Sequence, residues 1–528
     1  MIGNQDQYGS CGGCKHALPL TARIGFRHFE DVFSEGDLSR TMRKPKPYDL
    51  VVIGGGPAGL SAATTAAALG KTVALVDSHH ELGGAGANTG TVPSKTLRET
   101  AVMLSGMRSR DLYGVDLSLR REATVADFLR HERNVKTGLN AMLSRQLETS
   151  KVDVYYGTAE FLDSHIIAAR VCKTQMAAQD LSSPEAEEMS LQGEFMLIAT
   201  GSGPIHPTIF PFGSPEIYDS DTILDLDRVP KTLGVVGAGV IGTEYACTFA
   251  ALGSEVHLID GSDVLLPTLD TEVSRALSVA MVHNGIVLHW KERAHTCIVG
   301  KDGVILALSS GERLAFDAVL VAAGRKGNTE KLNLPVVGIT VSSRGLITVD
   351  EQLRTEVPHI YAAGDVIGFP ALASTSMEQG RRAARHAFQP QIPSHVSRLL
   401  PVGIYTIPEI GMVGETEDSL KRQTVDYVVG RASYDDNARG RIIGDSSGFL
   451  KLLFRREDMK LLGVHAIGEQ ATELVHIGLI AMLTGSAAEL FDEACFNIPT
   501  LSDLYKIATV NAIGNALHFA NALQSVSA

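Results

Sequence analysis

One local pattern occurs twice in this chain, and it constrains the fold more than any other feature. A short apolar strand leads into a glycine-rich turn, a helix follows, and a second strand ends in an aspartate. The first copy covers residues 49–77, with its helix predicted from Gly59 to Leu69, and the second covers residues 232–260, with its first strand predicted from Thr232 to Val236. Because this order of elements is that of a mononucleotide-binding unit, the sequence predicts two Rossmann-like dinucleotide-binding domains of one kind.

The first glycine-rich turn, residues 54–59, has the spacing G-x-G-x-x-G between a strand and a helix. Gly54 permits the tight turn, and Gly56 allows a pyrophosphate group to approach the backbone. Gly59 allows the helix to pack closely on the strand, and the N-terminus of that helix faces the phosphate charge. Asp77 ends the second strand, where a carboxylate accepts hydrogen bonds from ribose hydroxyls. These residues predict a dinucleotide-binding site.

The second turn repeats the three glycine positions as Gly237, Gly239 and Gly242, and Asp260 again ends the second strand. A carboxylate at that strand end favours a free ribose 2′-hydroxyl and repels a 2′-phosphate. Residues 261–263, which follow directly, contain no arginine that would neutralise a phosphate. The local chemistry therefore predicts that this second site prefers NAD(H) to NADP(H).

Residues 83–95 have the frame G-G-x-C-x-x-x-x-C-x-P-S-K, which is the active-site motif of flavin-dependent disulfide reductases. With the two dinucleotide units and the segments 198–201, 323–325 and 360–365, the chain resembles the pyridine nucleotide-disulfide oxidoreductase family over residues 48–520. The resemblance implies an α/β fold with two Rossmann-like dinucleotide-binding domains plus a C-terminal α+β dimerisation domain. It also implies a homodimer.

The same resemblance implies where the cofactors bind. FAD is expected in the first dinucleotide domain, and the second is expected to take the nicotinamide dinucleotides NAD and NADP. Gly364 and Asp365 match family positions on the ribityl and phosphate side of the flavin. Further cofactor-binding positions are expected at Gly84, Gly201 and Gly324.

Two charged residues are the catalytic candidates that the resemblance supplies. The lysine that matches Lys95 lies near the flavin N5 in the family and pairs with the glutamate that matches Glu244. We therefore expect Lys95 and Glu244 to position the nicotinamide against the flavin. The alternative is that the two residues form a structural salt bridge only.

The thiol chemistry of the family is missing from this chain. Gly86 and Thr91 stand at the two cysteine positions of the frame, and neither can carry a thiolate or a mixed disulfide. Near the C-terminus, Ile498 replaces the histidine of the family's H-P-T-x-x-E run, and isoleucine cannot act as a general base. What the sequence retains is hydride exchange between nicotinamide and flavin, which the cofactors themselves perform.

The resemblance is strongest to the branch of the family that exchanges hydride between NADH and NADP⁺ and that lacks the second cysteine and the terminal base. The predicted function is therefore FAD-dependent hydride transfer between NADH and NADP⁺ without a redox-active disulfide. One alternative is an NADH-dependent diaphorase or quinone reductase. A second is a dihydrolipoamide dehydrogenase-like protein without thiol chemistry. Another is a flavin-bearing binding or regulatory protein without turnover.

The order of the motifs predicts five segments. Strand-like stretches at 448–454 and 461–467, with two late helices, indicate the α+β domain at the end of the chain. The predicted segments are a flexible N-terminal tail at 1–47, the FAD-binding domain at 48–200 and 324–395, the NAD(P)-binding domain at 201–323, and the dimerisation domain at 396–528.

Composition limits the partners and the compartment. The net charge of −13 argues against nucleic acid or an anionic membrane surface as a partner. Six cysteines do not make a secreted disulfide framework, and residues 1–30 lack the apolar core of a signal peptide. We therefore expect a cytoplasmic protein that binds small-molecule nicotinamide dinucleotides and neither a membrane nor a metal. Cys11 and Cys14 form a C-x-x-C pair that is either a redox dithiol, half a zinc site or incidental.

Overall fold

The structure is a computed structural model that describes residues 44–105, 125–172, 187–301, 303–392 and 396–527. The chain separates into two units, Met1–Arg43 and Lys44–Ala528, and all described residues belong to the second. Cys11 and Cys14 lie outside the described residues, as does most of the predicted tail.

The first part of the described chain alternates strands and helices as a dinucleotide-binding domain requires. Its elements are β1 (Lys46–Ile53), α1 (Pro57–Ala68), β2 (Val73–Asp77), α2 (Gly84–Asn88), α3 (Thr91–Leu104), α4 (Val125–Thr149), β3 (Asp153–Asp163), β4 (Ile166–Cys172), β5 (Glu187–Ile198) and β6 (Ser202–Pro204). A second part of the same layer follows much later with β16 (Ile360–Ala362) and α7 (Ala373–Phe388).

The central sheet of this domain is mostly parallel, and its strands β1 and β2 are largely buried apolar runs. β1 pairs with β2 on one side and with β5 on the other, while β16 adds to β5 and β3 adds to β2. Strand β4 runs antiparallel between β3 and β5. Helices α1 and α7 pack closely, since a Cβ atom at Gly380 would lie 2.0 Å from the carbonyl oxygen of Ala58. This contact joins the two sequence-distant halves of the domain.

The start of β1 differs from the predicted boundary of the tail. The strand begins at Lys46, inside the segment 1–47, because Lys46 and Pro47 pair with β5. Lys46 also forms an ion pair of 2.8 Å with Asp153 on β3. Helix α1 begins at Pro57, two residues before the predicted start at Gly59, because the fixed φ of proline suits the first turn of a helix.

The middle of the chain forms the second dinucleotide unit. Its elements are β7 (Ile217–Asp219), β8 (Thr232–Val236), α5 (Val240–Ala251), β9 (Glu255–Asp260), α6 (Thr271–His283), β10 (Val287–Trp290), β11 (Ala294–Gly300), β12 (Gly303–Leu308), β13 (Arg313–Phe316), β14 (Ala318–Val321) and β15 (Arg325–Gly327). The parallel sheet has the order β10-β9-β8-β14-β7, and β11, β12 and β13 form an antiparallel meander. Strand β8 covers the residues that the sequence predicted.

The last part of the chain is an α+β domain around a five-stranded antiparallel sheet in the order β17-β18-β21-β20-β19. Its elements are β17 (Val402–Ile404), β18 (Ile410–Gly414), α8 (Glu417–Arg422), β19 (Tyr427–Ser433), α9 (Ala438–Ile443), β20 (Phe449–Arg455), β21 (Leu461–Ile467), α10 (Ala471–Leu483), α11 (Ala488–Glu493) and α12 (Leu504–Ser527). Tyr434, Phe454 and Tyr505 lie fully buried in its core. The predicted fold class is confirmed.

A buried charge cluster joins this domain to the second dinucleotide unit. The fully buried ammonium of Lys451 on β20 lies 2.8 Å from Asp270 Oδ1 and 3.0 Å from Glu272 Oε2, and it also contacts Glu417. Arg431 adds a 2.7 Å ion pair to Glu272. Because buried charges are tolerated only when they are paired, this cluster fixes how the two parts pack. Within the described part of the chain, no helix is long and apolar enough to cross a membrane.

Candidate functional site

The first glycine-rich turn is tight enough that only glycine fits at two of its positions. Gly54 has a φ of +110°, and a Cβ atom there would lie 2.3 Å from the carbonyl oxygen of Ala199. A Cβ atom at Gly59 would lie 1.8 Å from the carbonyl oxygen of Gly54. The backbone of the turn is therefore pressed against β5 and α1, as a phosphate-binding turn requires.

Asp77 and Asp260 hold the two turns in the same way. Asp77 is buried, and it accepts hydrogen bonds from the backbone N–H groups of Gly55 (2.5 Å) and His79 (2.7 Å). Asp260 accepts from the N–H groups of Ala238 and Ser262, both at 2.7 Å. A carboxylate has about four acceptor sites, so each aspartate also retains sites for ribose hydroxyls.

The residues around the first turn fit a flavin dinucleotide. The hydroxyl of Thr200 is buried and lacks a hydrogen-bond partner among the described residues, although buried hydroxyls are normally satisfied. Asp365 accepts a 2.9 Å hydrogen bond from the Ser202 hydroxyl, and the backbone N–H of Gly364 donates to Gln379 at 2.8 Å. The predicted glycines of this region share a positive φ at Gly84, Gly201, Gly324 and Gly364. The second turn is open at Gly239, where a Cβ atom would meet no other atom of the described chain within 4 Å.

Lys95 and Glu244 form an ion pair between helix α3 and helix α5, next to the segment that contains Tyr405. Lys95 Nζ on α3 lies 2.6 Å from Glu244 Oε2 on α5, and the two side chains are 24% and 8% exposed. The second carboxylate oxygen, Oε1, accepts a 2.8 Å hydrogen bond from the backbone N–H of Tyr405. The lysine ammonium also lies 5.1 Å from the centre of the Tyr405 ring. The structure thus brings the two predicted residues together and leaves the lysine head partly accessible.

Sequence reasoning missed a second contact to the same loop. The side chain of Arg98 on α3 donates a 3.1 Å hydrogen bond to the carbonyl oxygen of Thr406 and lies 4.0 Å from Glu409 Oε2. Burial raises the pKa of Glu409 to about 7, and the nearby Arg98 opposes this shift. Because Glu244 and Arg98 both hold the 405–409 loop, this loop is fixed against the Lys95 side chain. Within this segment, Pro408 is the one residue whose type indicates a loop in the sequence.

The two positions that carry cysteine in the family's motif cannot perform thiol chemistry here, because neither residue contains sulfur. At one of them a larger side chain would also meet steric crowding. Gly86 lies on α2 and Thr91 begins α3. A Cβ atom at Gly86 would lie 2.8 Å from Pro57 Cγ, which is closer than real Cβ contacts allow. Cys247 is fully buried, and burial raises its pKa to about 12. Ile498, at the position of the family's histidine, is exposed.

The neighbourhood of Asp260 contains a positive charge that the residues adjacent in sequence do not supply. Residues 261–263 contain no arginine, but the guanidinium of Arg293 lies against Gly261. A Cβ atom at Gly261 would be 2.8 Å from Arg293 Cζ. The pairing of β9 with β10 brings this later segment to the strand end, so the preference for NAD(H) predicted from residues 260–263 remains a prediction.

Comparison with known proteins decides the family. The model of the pyridine nucleotide-disulphide oxidoreductase family matches residues 48–380. The chain belongs to this family. A second model, the dimerisation domain of the same family, matches residues 400–509 and supports the predicted homodimer. The chain is thus an oxidoreductase enzyme, as its motifs predicted.

Relatives cover nearly the whole chain. A soluble pyridine nucleotide transhydrogenase of Mycobacterium bovis is 43% identical over 89% of this chain and 97% of its own length. The protein of that name from Pectobacterium atrosepticum is 39% identical over 90% of this chain and 99% of its own length.

Solved structures of the family show the same fold. LpdA from Mycobacterium tuberculosis aligns with a TM-score of 0.79 at 26% identity, over 88% of this chain and 99% of its own. The flavoprotein disulfide reductase RclA from Escherichia coli aligns with a TM-score of 0.77 at 25% identity over the same shares.

Proposed function

We propose that this protein catalyses FAD-dependent transfer of hydride between NADH and NADP⁺ without a redox-active disulfide. The observation that carries the proposal is a contrast within one site. The Lys95–Glu244 pair is intact at 2.6 Å, whereas Gly86 and Thr91 provide no sulfur. Relatives that match 89–90% of this chain carry the name soluble pyridine nucleotide transhydrogenase, which supports the same assignment.

The first turn and its surroundings are the residues that hold FAD in this proposal. The Gly54–Gly59 turn would hold the pyrophosphate and Asp77 the adenosine ribose, while the unpartnered hydroxyl of Thr200 and the carboxylate of Asp365 would supply further polar contacts. When bound, FAD supplies the chemistry, because it accepts hydride from one nicotinamide dinucleotide and returns it to another. In this proposal the FAD-binding domain comprises residues 46–200 and 324–395, since β1 begins at Lys46, and the NAD(P)-binding domain comprises residues 201–323 and the dimerisation domain residues 396–528.

Lys95 and Glu244 position the reacting groups. Glu244 orients the lysine ammonium through Oε2, while its other oxygen is held by the Tyr405 N–H group. A preorganised cation at this place stabilises negative charge that develops on a bound electron acceptor. Because Glu244 lies on the helix that follows the second glycine-rich turn, it also couples the Lys95 side chain to the nicotinamide domain.

A second candidate function is an NADH-dependent diaphorase, and Asp260 favours it because a carboxylate at the strand end suits the free 2′-hydroxyl of NADH. The two functions differ in the final acceptor. In either case we place the protein in the cytoplasm, where both nicotinamide pools are present.

The test is anaerobic stopped-flow reduction of the purified protein by NADH and by NADPH, followed by mixing with NADP⁺ or with a quinone. We expect reoxidation by NADP⁺ with formation of NADPH. Lipoamide and glutathione disulfide serve as controls and should not be turned over. Reoxidation by quinone but not by NADP⁺ would leave the diaphorase function instead.

A further inference from the structure

We infer that Arg293 binds the 2′-phosphate of NADP(H) and that it allows one nicotinamide site to accept both NADH and NADPH. The inference rests on the proposed function, because it explains how a site built around Asp260 takes the phosphorylated dinucleotide. Arg293 is a specificity-determining residue in this account and takes no part in hydride transfer.

The strand register brings Arg293 to the end of β9. Trp290 on β10 is paired with Asp260 on β9, so the residues that follow each strand run side by side. The backbone N–H of Lys291 donates to the Ser262 carbonyl and that of Glu292 donates to the Asp260 carbonyl, both at 3.0 Å. These bonds hold the segment that leads to Arg293 beside Asp260, the residue that discriminates between the two dinucleotides.

The absence of a side chain at Gly261 makes room for the guanidinium. A Cβ atom at Gly261 would lie 2.8 Å from Arg293 Cζ and 2.9 Å from Nε, so any other residue would displace the arginine. Gly261 has no positive φ, and the backbone itself therefore does not require glycine here. The glycine instead leaves the space that the guanidinium occupies, one residue after Asp260.

The neighbouring charges leave Arg293 available to an anion. Lys291 is paired with Asp263 at 2.9 Å, and Glu292 accepts a 3.1 Å hydrogen bond from the N–H of Ser310. Among the described residues, no carboxylate forms an ion pair with the exposed Arg293 guanidinium. A guanidinium presents a rigid fork of donors that matches phosphate geometry, so it is suited to this ligand.

Asp260 does not prevent phosphate binding in this arrangement. Its two oxygens accept hydrogen bonds from the N–H groups of Ala238 and Ser262, which offset part of the negative charge. The Arg293 guanidinium, which lies against the next residue, Gly261, supplies a full positive charge. The site therefore combines an acceptor for a ribose hydroxyl with a donor for a phosphate, which is what a site that accepts both dinucleotides requires.

The experiment measures binding of two fragments to the FAD-loaded protein by titration calorimetry. Adenosine 2′,5′-bisphosphate carries the 2′-phosphate, and ADP does not. For Arg293→Gln we expect affinity for the bisphosphate to fall about tenfold, as for the loss of a charge-assisted hydrogen bond, with ADP affinity changed less than about twofold. Arg293→Lys should retain part of the bisphosphate affinity, and Gly261→Ala should lower it because the arginine is displaced.

Lys291→Gln is the matched control, since it removes a neighbouring positive charge that is already paired with Asp263. The inference is overturned if Arg293→Gln weakens both fragments equally, if Lys291→Gln has the same effect, or if the wild-type protein binds the bisphosphate no better than ADP. A thermal melt of each variant establishes that it is folded.

Failure of the proposed function gives a different result. In that case the bisphosphate still binds through Arg293, but NADP⁺ does not reoxidise the reduced protein. If the function is right and the inference is wrong, NADP⁺ reoxidises the wild-type protein and Arg293→Gln alike.

Discussion

Replacing Lys95 by alanine tests whether the ion pair at the centre of the site positions the reacting groups. The change removes an ammonium that lies 2.6 Å from Glu244 and leaves a carboxylate that is 8% exposed with one remaining hydrogen bond, from Tyr405. Breaking a fully buried pair costs about 3–5 kcal/mol, and the partial exposure of Lys95 reduces the expected loss of stability to about 2 kcal/mol.

The rate of hydride transfer should fall more than the stability suggests. A displacement of the reacting atoms by about 1 Å can lower a rate on the order of a hundredfold, so we expect a loss of that size with FAD still bound. The assay is anaerobic stopped-flow reduction by NADH at saturating concentration. Lys326→Ala is the control, because Lys326 forms an exposed ion pair with Glu330.

The double variant separates positioning from independent action. If Lys95 and Glu244 act as one unit, Lys95→Ala combined with Glu244→Ala should be little slower than either single variant. Multiplicative losses would show that each residue acts alone. A full rate in Lys95→Ala would leave only a structural salt bridge and refute the positioning role.

Three further predictions concern stability and the lost thiols. Lys451→Met should lower the free energy of unfolding by about 3–5 kcal/mol at pH 7, since the buried Asp270 loses its paired ammonium and Glu272 and Glu417 lose the same contact, although Glu272 keeps Arg431. The pKa values of these three carboxyl groups are lowered in the folded protein, so the stabilisation is present above about pH 4. The difference in unfolding free energy between variant and wild type should shrink as the pH falls below that. A difference that does not change with pH in denaturant titrations would contradict this prediction. Burial raises the pKa of Glu409 to about 7, so the folded protein favours the protonated carboxyl. As the pH rises from 5 to 8, the free energy of unfolding of the wild type should therefore fall by up to about 3 kcal/mol relative to that of Glu409→Gln. Parallel curves of unfolding free energy against pH would refute the assignment. Gly86→Cys with Thr91→Cys should gain no lipoamide reductase activity, because Ile498 supplies no base and Pro57 crowds position 86; measurable turnover would show that the thiols alone were missing.

Local patterns predicted the elements, and contacts between distant segments determined the details of the site. The run Thr232–Val236 was identified as a strand because it is apolar and leads into a glycine-rich turn, and β8 has the same bounds. Pairing of Lys46 and Pro47 with β5 was not predictable, because their polar and proline character suggested a tail.

The charges around the second dinucleotide site also depend partly on the local sequence and partly on contacts between distant segments. The sequence predicts Asp260 at its strand end, but it does not show that Arg293 lies against Gly261, because the β9–β10 register brings the two together. The contact of Arg98 with the 405–409 loop likewise joins α3 to the C-terminal domain. Spacing along the chain carries no information on either contact.

The most direct test of hydride transfer without a disulfide is an anaerobic titration of the purified protein with NADH, followed by one equivalent of NADP⁺. One equivalent of NADH should bleach the flavin absorbance completely, without a long-wavelength thiolate band, because Gly86 and Thr91 form no disulfide beside the flavin that could take up a further electron pair. NADP⁺ should then restore the absorbance and yield an equal amount of NADPH. A requirement for a second equivalent of NADH, or a flavin that stays reduced after NADP⁺ is added, would contradict the account.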